Sequence, residues 1–447
     1  MKPVRHVEHV VVGAGVVGSC VAYELVRRGA EVLVLDAGDD VGAGCSWANA
    51  GLLSPTHVEP LTTPTNIALG LRYLWRTDSP FHVRPHLRMV PWLLRFAASS
   101  GPRRAAALTA RMQELARASL SLHHDYVDRG VQTGLRSSGA LDVYLSQRTY
   151  DRALHAPNSL GHQVLDATQT RALEPALGPV AGSTLHTDDA MLESRTFVRA
   201  VLTAATPHGA DVWWSTPVRA LGAHKRGALL DLGDRVVTCG QVTLAAGMGT
   251  VRLAASCGVQ VPLQPGIGYV VDVPPASGPT RPVTFKELKV VATPYEDRLR
   301  LSGTMDLGAA PNRINPKRVQ AMTAAAARGL PHVPTASPLQ VWTGQRPCTP
   351  DGVPMLGRSD RAPELVLATG HGMWGLMLAP ISGRIVAEDA TDGGPRTQDA
   401  DFSSDRFTAT RGSRWLVSNG GLRVDPRILW LQRHGGWPSG DGAVTDG

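Results

Sequence analysis

The sequence of 447 residues predicts an α/β protein with an α+β cap. Residues 7–37 read as strand, tight turn, helix and strand, which is one β–α–β unit. Strand-like runs alternate with helical patterns through the middle of the chain, and a second strand–turn–helix unit occupies residues 365–390. Hydrophobic residues make up 43% of the chain and charged residues 19%, which is ordinary for a folded globular protein.

The β–α–β unit begins with the apolar run Val10–Val12, which reads as a strand. Apolar residues at helical spacing follow from Val21, and Gly29 is a favourable helix end. A second strand, Val32–Leu35, is followed directly by Asp36. The turn between the first strand and the helix has the pattern Gly-x-Gly-x-x-Gly, and this context makes it more specific than the motif alone.

The three glycines of the turn have separate predicted roles. Gly13 permits the tight turn, Gly15 lets the backbone approach a pyrophosphate, and Gly18 lets the helix pack close to the strand. Asp36 lies where a carboxylate can accept hydrogen bonds from ribose hydroxyls. The unit therefore predicts a dinucleotide site but leaves NAD and FAD open. Its predicted binding residues are Gly13, Gly15, Val16, Val17, Gly18, Asp36 and Ala37.

The loop after the second strand favours a large cofactor. A nicotinamide-type domain would normally continue quickly into its next β–α unit. Here residues 42–55 form a loop of small and polar residues that could lie along the rest of a buried cofactor. The residues assigned to this contact are Ser46, Asn49, Ala50 and Gly51.

Composition excludes several other classes. The formal net charge is +7, but no run of five or six basic residues occurs, so a nucleic-acid-binding arm is not expected. The five cysteines are widely spaced without a Cys-x-x-Cys pair, which predicts neither a disulfide framework nor a metal site and suits a cytoplasmic protein. Residues 365–383 carry no charge, yet their glycines and proline favour a buried strand, turn and helix start over a membrane span.

Four parts of the chain resemble the D-amino-acid oxidase-like family of flavoproteins, and within it the catalytic small subunits of bacterial D-amino-acid dehydrogenases. They are VVGAGVVGSCVAYEL with VLVLDA, then SWANAGLLSP, then VTLAAGMGT, and the pair TGQRPCTPDGVPMLG and LATGHGMWGLMLAPISG. The similarity covers residues 7–407 and leaves the last segment outside. It implies a Rossmann-type FAD-binding domain built from discontinuous segments and a substrate domain with a mixed sheet.

The resemblance also implies boundaries and further contacts. The FAD-binding domain would comprise residues 1–56, 187–258 and 338–410, the substrate domain 57–186 and 259–337, and 411–447 would be an appended, poorly ordered tail. The position at which sarcosine oxidase-like relatives tether flavin falls on Gly344, so noncovalent FAD is expected. The additional cofactor-binding residues that it implies are Val218, Ala246, Gly247, Met248, Gly370, Gly372, Met373, Trp374 and Gly375.

Three residues are implied to act on the substrate. Arg346 would bind a carboxylate, since a guanidinium makes two parallel hydrogen bonds and keeps its proton; the alternative is a structural ion pair. Tyr269 matches a tyrosine that helps to orient the carboxylate, and the alternative is a core residue. His371 is an acid–base candidate, against a purely structural histidine. Ile267 departs from the Lys or Arg of close relatives.

The leading functional prediction is oxidative deamination of D-amino acids by an FAD-dependent dehydrogenase. The alternatives are oxidation of glycine or of a cyclic secondary amine such as D-proline or hydroxyproline, and a non-catalytic FAD-binding subunit. The expected partners are an amino-acid substrate and an electron acceptor, which could be a quinone, an electron-transfer protein or oxygen. We expect a cytoplasmic location, with peripheral contact to the inner face of the cell membrane as an open possibility.

Overall fold

A computed structural model of the chain describes residues 5–41, 44–64, 67–68, 81–155, 162–225, 227–309, 313–391 and 400–407. The predicted tail at 411–447 lies outside these residues. The described chain contains two large sheets and one two-stranded sheet, with helices packed against them.

The first large sheet contains the predicted β–α–β unit. Strands β1, β2, β9 and β12 run parallel, and their order at the centre of the sheet is β12-β1-β2-β9. Val12 pairs with both Leu35 and Leu244, so these strands end together at one edge. The strands are β1 (Arg5–Val12), β2 (Val32–Leu35), β9 (Ala210–Trp213), β10 (Ala220–His224), β11 (Gly227–Asp231), β12 (Val236–Leu244), β18 (Met355–Arg358) and β19 (Leu365–Thr369).

Helices cover this sheet. Helix α1 is buried on every side, as expected for an apolar helix that packs between the sheet and helices α6 and α9. Helix α3 packs along α9. The helices are α1 (Val16–Val26), α2 (Val90–Ala98), α3 (Pro102–Asp128), α4 (Gln147–Leu154), α5 (Ala167–Leu173), α6 (Ser194–Ala205), α7 (Thr250–Ser256), α8 (Pro316–Gly329) and α9 (Gly375–Thr391).

The second large sheet is mixed and has the order β17-β13-β16-β15-β14-β5-β7-β6, with β4 beside β16. Its strands are β4 (Phe81–Val83), β5 (Ala140–Tyr144), β6 (Gln163–Asp166), β7 (Gly182–His186), β13 (Gln264–Val273), β14 (Val283–Phe285), β15 (Val290–Pro294), β16 (Leu299–Leu307) and β17 (Gln340–Cys348). The small sheet pairs β3 (Leu52–Leu53) with β8 (Ala190–Met191).

The structure corrects one boundary. Residues 338–410 were expected in the FAD-binding domain, but β17 pairs with β13 along its whole length in the second sheet. Arg346 therefore lies on a strand of the second sheet. The single proline of β17, Pro347, faces Pro265 of β13, so the missing backbone N–H groups of both prolines meet at one position and the rest of the pairing is kept. No helix among the described residues is long and apolar enough to cross a membrane.

Candidate active site

One cavity of about 1310 Å³ is lined by residues of both large sheets. Its lining extends from Asp36, just after β2, to Arg346 on β17. This volume exceeds the roughly 300–1,000 Å³ of most small-molecule sites, so a large cofactor and a small substrate fit together. The predicted cofactor residues that line it are Gly13, Gly15, Val16, Val17, Asp36, Ala37, Ser46, Asn49, Ala50, Val218, Ala246, Gly247, Met248, Gly372, Met373, Trp374 and Gly375.

The Asp36 end of the cavity has the features of a dinucleotide cradle. Asp36 accepts hydrogen bonds from the backbone N–H groups of Ala14 at 2.6 Å and Gly38 at 2.7 Å, which fixes the carboxylate beside the turn. Ser46 Oγ accepts the N–H of Val16 at 3.0 Å, at the N-terminus of α1. A side chain at Gly15 would lie 2.9 Å from that hydroxyl, so only glycine keeps this approach open. These residues fit a pyrophosphate held at a helix start.

Three other predicted cofactor residues support the cavity without lining it. A Cβ at Gly18 would lie 1.8 Å from the carbonyl oxygen of Gly13, so this glycine allows close packing of helix and strand, as predicted. Gly51 has φ +75°, and a Cβ there would meet the hydroxyl of Tyr295 at 2.0 Å. Gly370 has φ +80° beside Thr349. These three glycines therefore serve the backbone conformation and packing around the cavity.

The loop before α9 is tied to the strand that carries Arg346. Gly372 N–H donates to the carbonyl of Pro347 at 3.0 Å, and His371 forms a β-bridge with Cys348. The indole N–H of Trp374 donates to the carbonyl of Glu59 at 2.8 Å. The loop and β17 therefore hold each other at a fixed separation across the cavity.

Arg346 is a cation of this cavity that has no ionic partner among the described residues. Its Nη1 donates to the carbonyl of Thr304 at 2.9 Å, and no carboxylate among the described residues lies within ion-pairing distance of the guanidinium. Burial lowers the pKa of Arg346 from its ordinary value, yet arginine remains charged at neutral pH. A desolvated cation without a protein partner favours an anionic ligand.

Two residues that sequence analysis did not identify hold the guanidinium. A Cβ at Gly268 would lie 2.3 Å from Cζ of Arg346, so the side chain lies directly over this glycine. Thr304, whose carbonyl accepts the Arg346 hydrogen bond, has a left-handed backbone with φ +59°. Neither feature has a sequence signal, because each depends on the register of three strands.

The structure does not bring Tyr269 to the cavity. Successive positions alternate between the two faces of β13, and Gly268 and Val270 line the cavity. Tyr269 is 1% exposed and packs with Ile267 and Val271 in the core on the other face of the strand. The expected role of Tyr269 in orienting a carboxylate is inconsistent with this position, and the core alternative applies.

His371 lines the cavity but is held as a structural residue. Its Nε2 is 2.9 Å from the hydroxyl of Ser382 on α9, and the side chain is buried. Burial lowers the pKa of His371 to about 3, so the imidazole is neutral at physiological pH. A histidine with this pKa is a poor proton acceptor, which favours the structural alternative.

A charged cluster at another part of the cavity wall was not predicted. Asp142 contacts His57 Nε2 at 2.9 Å and Lys286 Nζ at 2.8 Å, and it lies 3.5 Å from His186 Nε2. The two histidines and Asp142 could reach one metal ion. The Lys286 ammonium, however, already neutralises Asp142, so a divalent cation would meet net positive charge. We therefore interpret the cluster as an ion network.

Comparison with known proteins identifies the family. Residues 8–389 match the family model described as DAO, FAD dependent oxidoreductase. The chain belongs to this family. It is thus an FAD-dependent oxidoreductase. The predicted family, the Rossmann-type fold and the FAD cofactor are confirmed.

Individual relatives agree with the assignment. The chain is 34% identical over 419 residues to a D-amino acid dehydrogenase of Paramagnetospirillum magneticum, with 90% of this chain and 99% of that protein covered. It is 29% identical over 414 residues to a D-amino acid dehydrogenase of Rhizorhabdus wittichii, covering 89% and 99%. A glycine oxidase from Bacillus cereus has the same fold, with a TM-score of 0.69, 20% identity, and 87% and 96% of the two chains covered.

Within this DAO-family oxidoreductase the residues present fit FAD. The glycines and helix start near Asp36 suit the ADP part, and the cavity continues past Asn49 and Ala50 toward the loop at 370–375. The N-terminus of α9 begins at Gly375, on the cavity lining, and would place the positive end of a helix dipole beside the flavin ring.

Proposed function

We propose that this DAO-family enzyme oxidises D-amino acids to 2-oxo acids and ammonia. The observation that carries the proposal is the unpaired guanidinium of Arg346, which faces the cavity and needs an anion. The dehydrogenases at 34% and 29% identity support D-amino acids as the substrate class.

The chain's own residues would orient the substrate. Arg346 binds the carboxylate through two parallel hydrogen bonds, while Thr304 and Gly268 hold the guanidinium in place before the substrate arrives. When bound, FAD supplies the acceptor for the hydride that leaves the substrate Cα. The dipole of α9 favours negative charge at the ring. Hydrolysis of the oxidised product then gives the 2-oxo acid and ammonia.

The wall beside Arg346 favours a substrate larger than glycine. Trp342, Gly344 and Arg346 alternate on the cavity face of β17, and the indole of Trp342 covers Gly344, where a Cβ would lie 2.0 Å from the ring. Met373 and Ile314 also line the cavity. These apolar surfaces suit an apolar side chain, so we propose glycine as a poor substrate.

We also propose that FAD is bound noncovalently. Gly344, where related enzymes carry the tethering residue, offers no nucleophile. Cys348 lies nearby, but burial raises the pKa of its thiol to about 12, so it remains protonated and unreactive. Denaturation in acid should therefore release free FAD from the protein.

The test is reduction of the purified yellow protein without oxygen. D-Alanine, D-phenylalanine, glycine and D-proline are added separately, and bleaching of the flavin band identifies the substrate class. Arg346→Ala should lower kcat/KM by about 10–10² fold, since hydrogen bonds to a charged group contribute about 1.5–3 kcal/mol. Tyr269→Phe is the matched control and should change little, because Tyr269 faces the core.

Each outcome discriminates between functions. Bleaching by D-proline alone would favour a cyclic secondary amine, and bleaching by glycine alone would favour a glycine-oxidising enzyme. If no compound bleaches the flavin and Arg346→Ala retains the same spectrum, the non-catalytic subunit is favoured. Oxygen uptake compared with quinone-analogue reduction then distinguishes an oxidase from a dehydrogenase.

We further propose that the electron acceptor is reached at a membrane surface, which the chain contacts through α2 and its flanks. Residues 81–113 contain six arginines and no aspartate or glutamate. On the same segment Leu87 is 90% exposed, Leu94 66% and Val90 44%. Exposed apolar residues among arginines are typical of helices that lie on anionic lipid. The buried side of α2 carries Trp92, whose indole N–H donates to Cys348 O at 3.2 Å, two residues from Arg346.

Vesicle sedimentation tests this contact. The holoenzyme should sediment with vesicles that contain phosphatidylglycerol and not with pure phosphatidylcholine, and added salt should weaken the effect. Leu87→Asp with Leu94→Asp should reduce binding at least tenfold, since burying one leucine contributes about 1.5–3 kcal/mol. Leu339→Asp changes a 60% exposed leucine elsewhere and is the control. Equal sedimentation of the double variant would contradict the assignment of this surface.

A further inference from the structure

Two adjacent residues of the cavity have an unusual backbone. Among the described residues other than glycine, left-handed φ values occur at Ser215, Ser277, Lys289 and Thr304. Lys289 has φ +54° and Thr304 has φ +59°, and both line the cavity. Such conformations are strained in residues other than glycine and cluster at functional sites. Two such residues side by side on one cavity wall favour a functional role for this part of the wall.

The register brings these two residues together. Lys289 precedes Val290, Thr304 follows Gly303, and Val290 pairs with Gly303 in the antiparallel β15–β16 ladder. A Cβ at Gly303 would lie 2.7 Å from the carbonyl oxygen of Lys289, which agrees with this close approach. Facing Cα atoms in such ladders are about 5 Å apart. Lys289 therefore lies opposite Thr304 across the β15–β16 pair. The carbonyl of Thr304 accepts the hydrogen bond from Arg346.

The ammonium of Lys289 has no carboxylate partner. Lys286, three residues earlier, donates to Asp142 at 2.8 Å. Within the described part of the chain, no acidic group lies within ion-pairing distance of Lys289. The charged groups that act on it are Lys286, Glu59, Asp142 and Glu287. Partial desolvation and the neighbouring Lys286 lower the pKa of Lys289, although the three carboxylates oppose the shift.

The proposed oxidation needs a proton acceptor at this place. A D-amino acid in neutral water carries an ammonium group, which has no lone pair with which to form the C=N bond as hydride leaves. With the carboxylate on Arg346, the ammonium lies one carbon away, in the cavity that Thr304 and Lys289 also line. His371 is buried and neutral with a hydroxyl partner, so it does not serve.

We propose that Lys289 is the general base that accepts the proton of the substrate ammonium group. This inference rests on the proposed amino-acid oxidation. One N–H bond of the substrate breaks, its electron pair stays on the substrate nitrogen, and the lone pair of neutral Lys289 Nζ forms the new N–H bond. No electrons are exchanged in this step. Lys289 then returns the proton to solvent, since the residue is exposed.

Rapid-mixing reduction of the holoenzyme across pH 6–10 tests the proposal. In the wild type the rate should rise as Lys289 loses its proton and then level off. Lys289→Met should lower the rate at neutral pH by about 10²–10⁴ fold, the usual contribution of a general base. Its rate should keep rising to higher pH, where the substrate amine ionises unaided. Lys289→Arg keeps the charge but cannot accept a proton, so it should be equally impaired.

A second readout does not depend on activity. The chain has five lysines, so ¹³C-methyl signals of reductively methylated lysines can be resolved by NMR. The signal absent from Lys289→Arg should titrate at lower pH than an ordinary lysine. Lys317→Met is the control for kinetics and should behave as wild type.

The outcomes separate the two proposals. If no amino acid reduces the wild-type flavin, the proposed function fails. If reduction occurs but Lys289→Met keeps its rate within threefold and its pH profile, Lys289 is not the base. Full activity of Lys289→Arg would show that only the positive charge is needed, which also overturns the inference.

Discussion

Gly268→Ala should impair substrate binding by moving Arg346. A Cβ at this position would lie 2.3 Å from both Cζ and Nη2 of Arg346 and 2.7 Å from Nη1. Ordinary contact begins at 3.4 Å, so the guanidinium must retreat by about 1.1 Å (3.4 − 2.3). A misplacement of about 1 Å can cost 10²-fold in rate, which corresponds to about 2.7 kcal/mol. The backbone of Gly268 is not left-handed, so alanine adds no strain of its own.

The assay is anaerobic reduction by the best substrate, with FAD content and thermal stability measured on the same sample. We expect kcat/KM to fall by about 10² fold while FAD content and melting temperature change little. Gly101→Ala is the matched control, because its Cβ would meet nothing within 4 Å. A loss of less than threefold in Gly268→Ala, with Gly101→Ala normal, would refute the claim that this glycine fixes the guanidinium.

Two further predictions concern stability. Burial lowers the folded-state pKa of His371 to about 3, below its value near 6.5 in the unfolded chain, so protonation favours unfolding and stability is lost as pH falls below about 6.5. At pH 5 the loss in the free energy of unfolding is about 2 kcal/mol (RT ln(1 + 10^1.5)). Urea unfolding at pH 7.5 and pH 5 should show that this free energy falls less in His371→Asn than in the wild type. Equal falls in the two proteins would contradict the prediction. Asp272→Asn should lower the free energy of unfolding by about 3–5 kcal/mol, because Arg300, 3% exposed, loses the carboxylate that accepts its Nε at 2.8 Å and its Nη2 at 2.9 Å. The control is Asp297→Asn, which changes the exposed carboxylate partner of Arg298 and should lower the free energy of unfolding by under 1 kcal/mol. Equal losses in the two variants would show that burial does not decide the effect.

The β–α–β unit was readable from sequence because its determinants are local. The spacing of Gly13, Gly15 and Gly18 and the position of Asp36 depend on one strand, one turn and one helix start. The structure places each of them as that geometry requires, with Gly18 packed on the carbonyl of Gly13. Prediction of the fold succeeded where neighbours in the chain are also neighbours in space.

The substrate side was less predictable because it depends on strand register. Tyr269 and Gly268 are adjacent in sequence, but alternation sends one to the core and leaves the other under Arg346. A register irregularity between Ile267 and Tyr269 lies beside Thr304. Neither this irregularity nor the left-handed backbone of Lys289 has a sequence signature, since lysine and threonine do not favour that conformation.

The tie between the loop at 370–375 and β17 has a practical consequence for enzyme redesign. The hydrogen bond from Gly372 N–H to Pro347 O fixes the spacing between the loop at 370–375 and Arg346, the proposed carboxylate anchor. Trp342 and Ile314 lie outside this tie, on the part of the cavity that would face a substrate side chain. A library that varies these two positions can explore new substrates while the reaction distance stays constant.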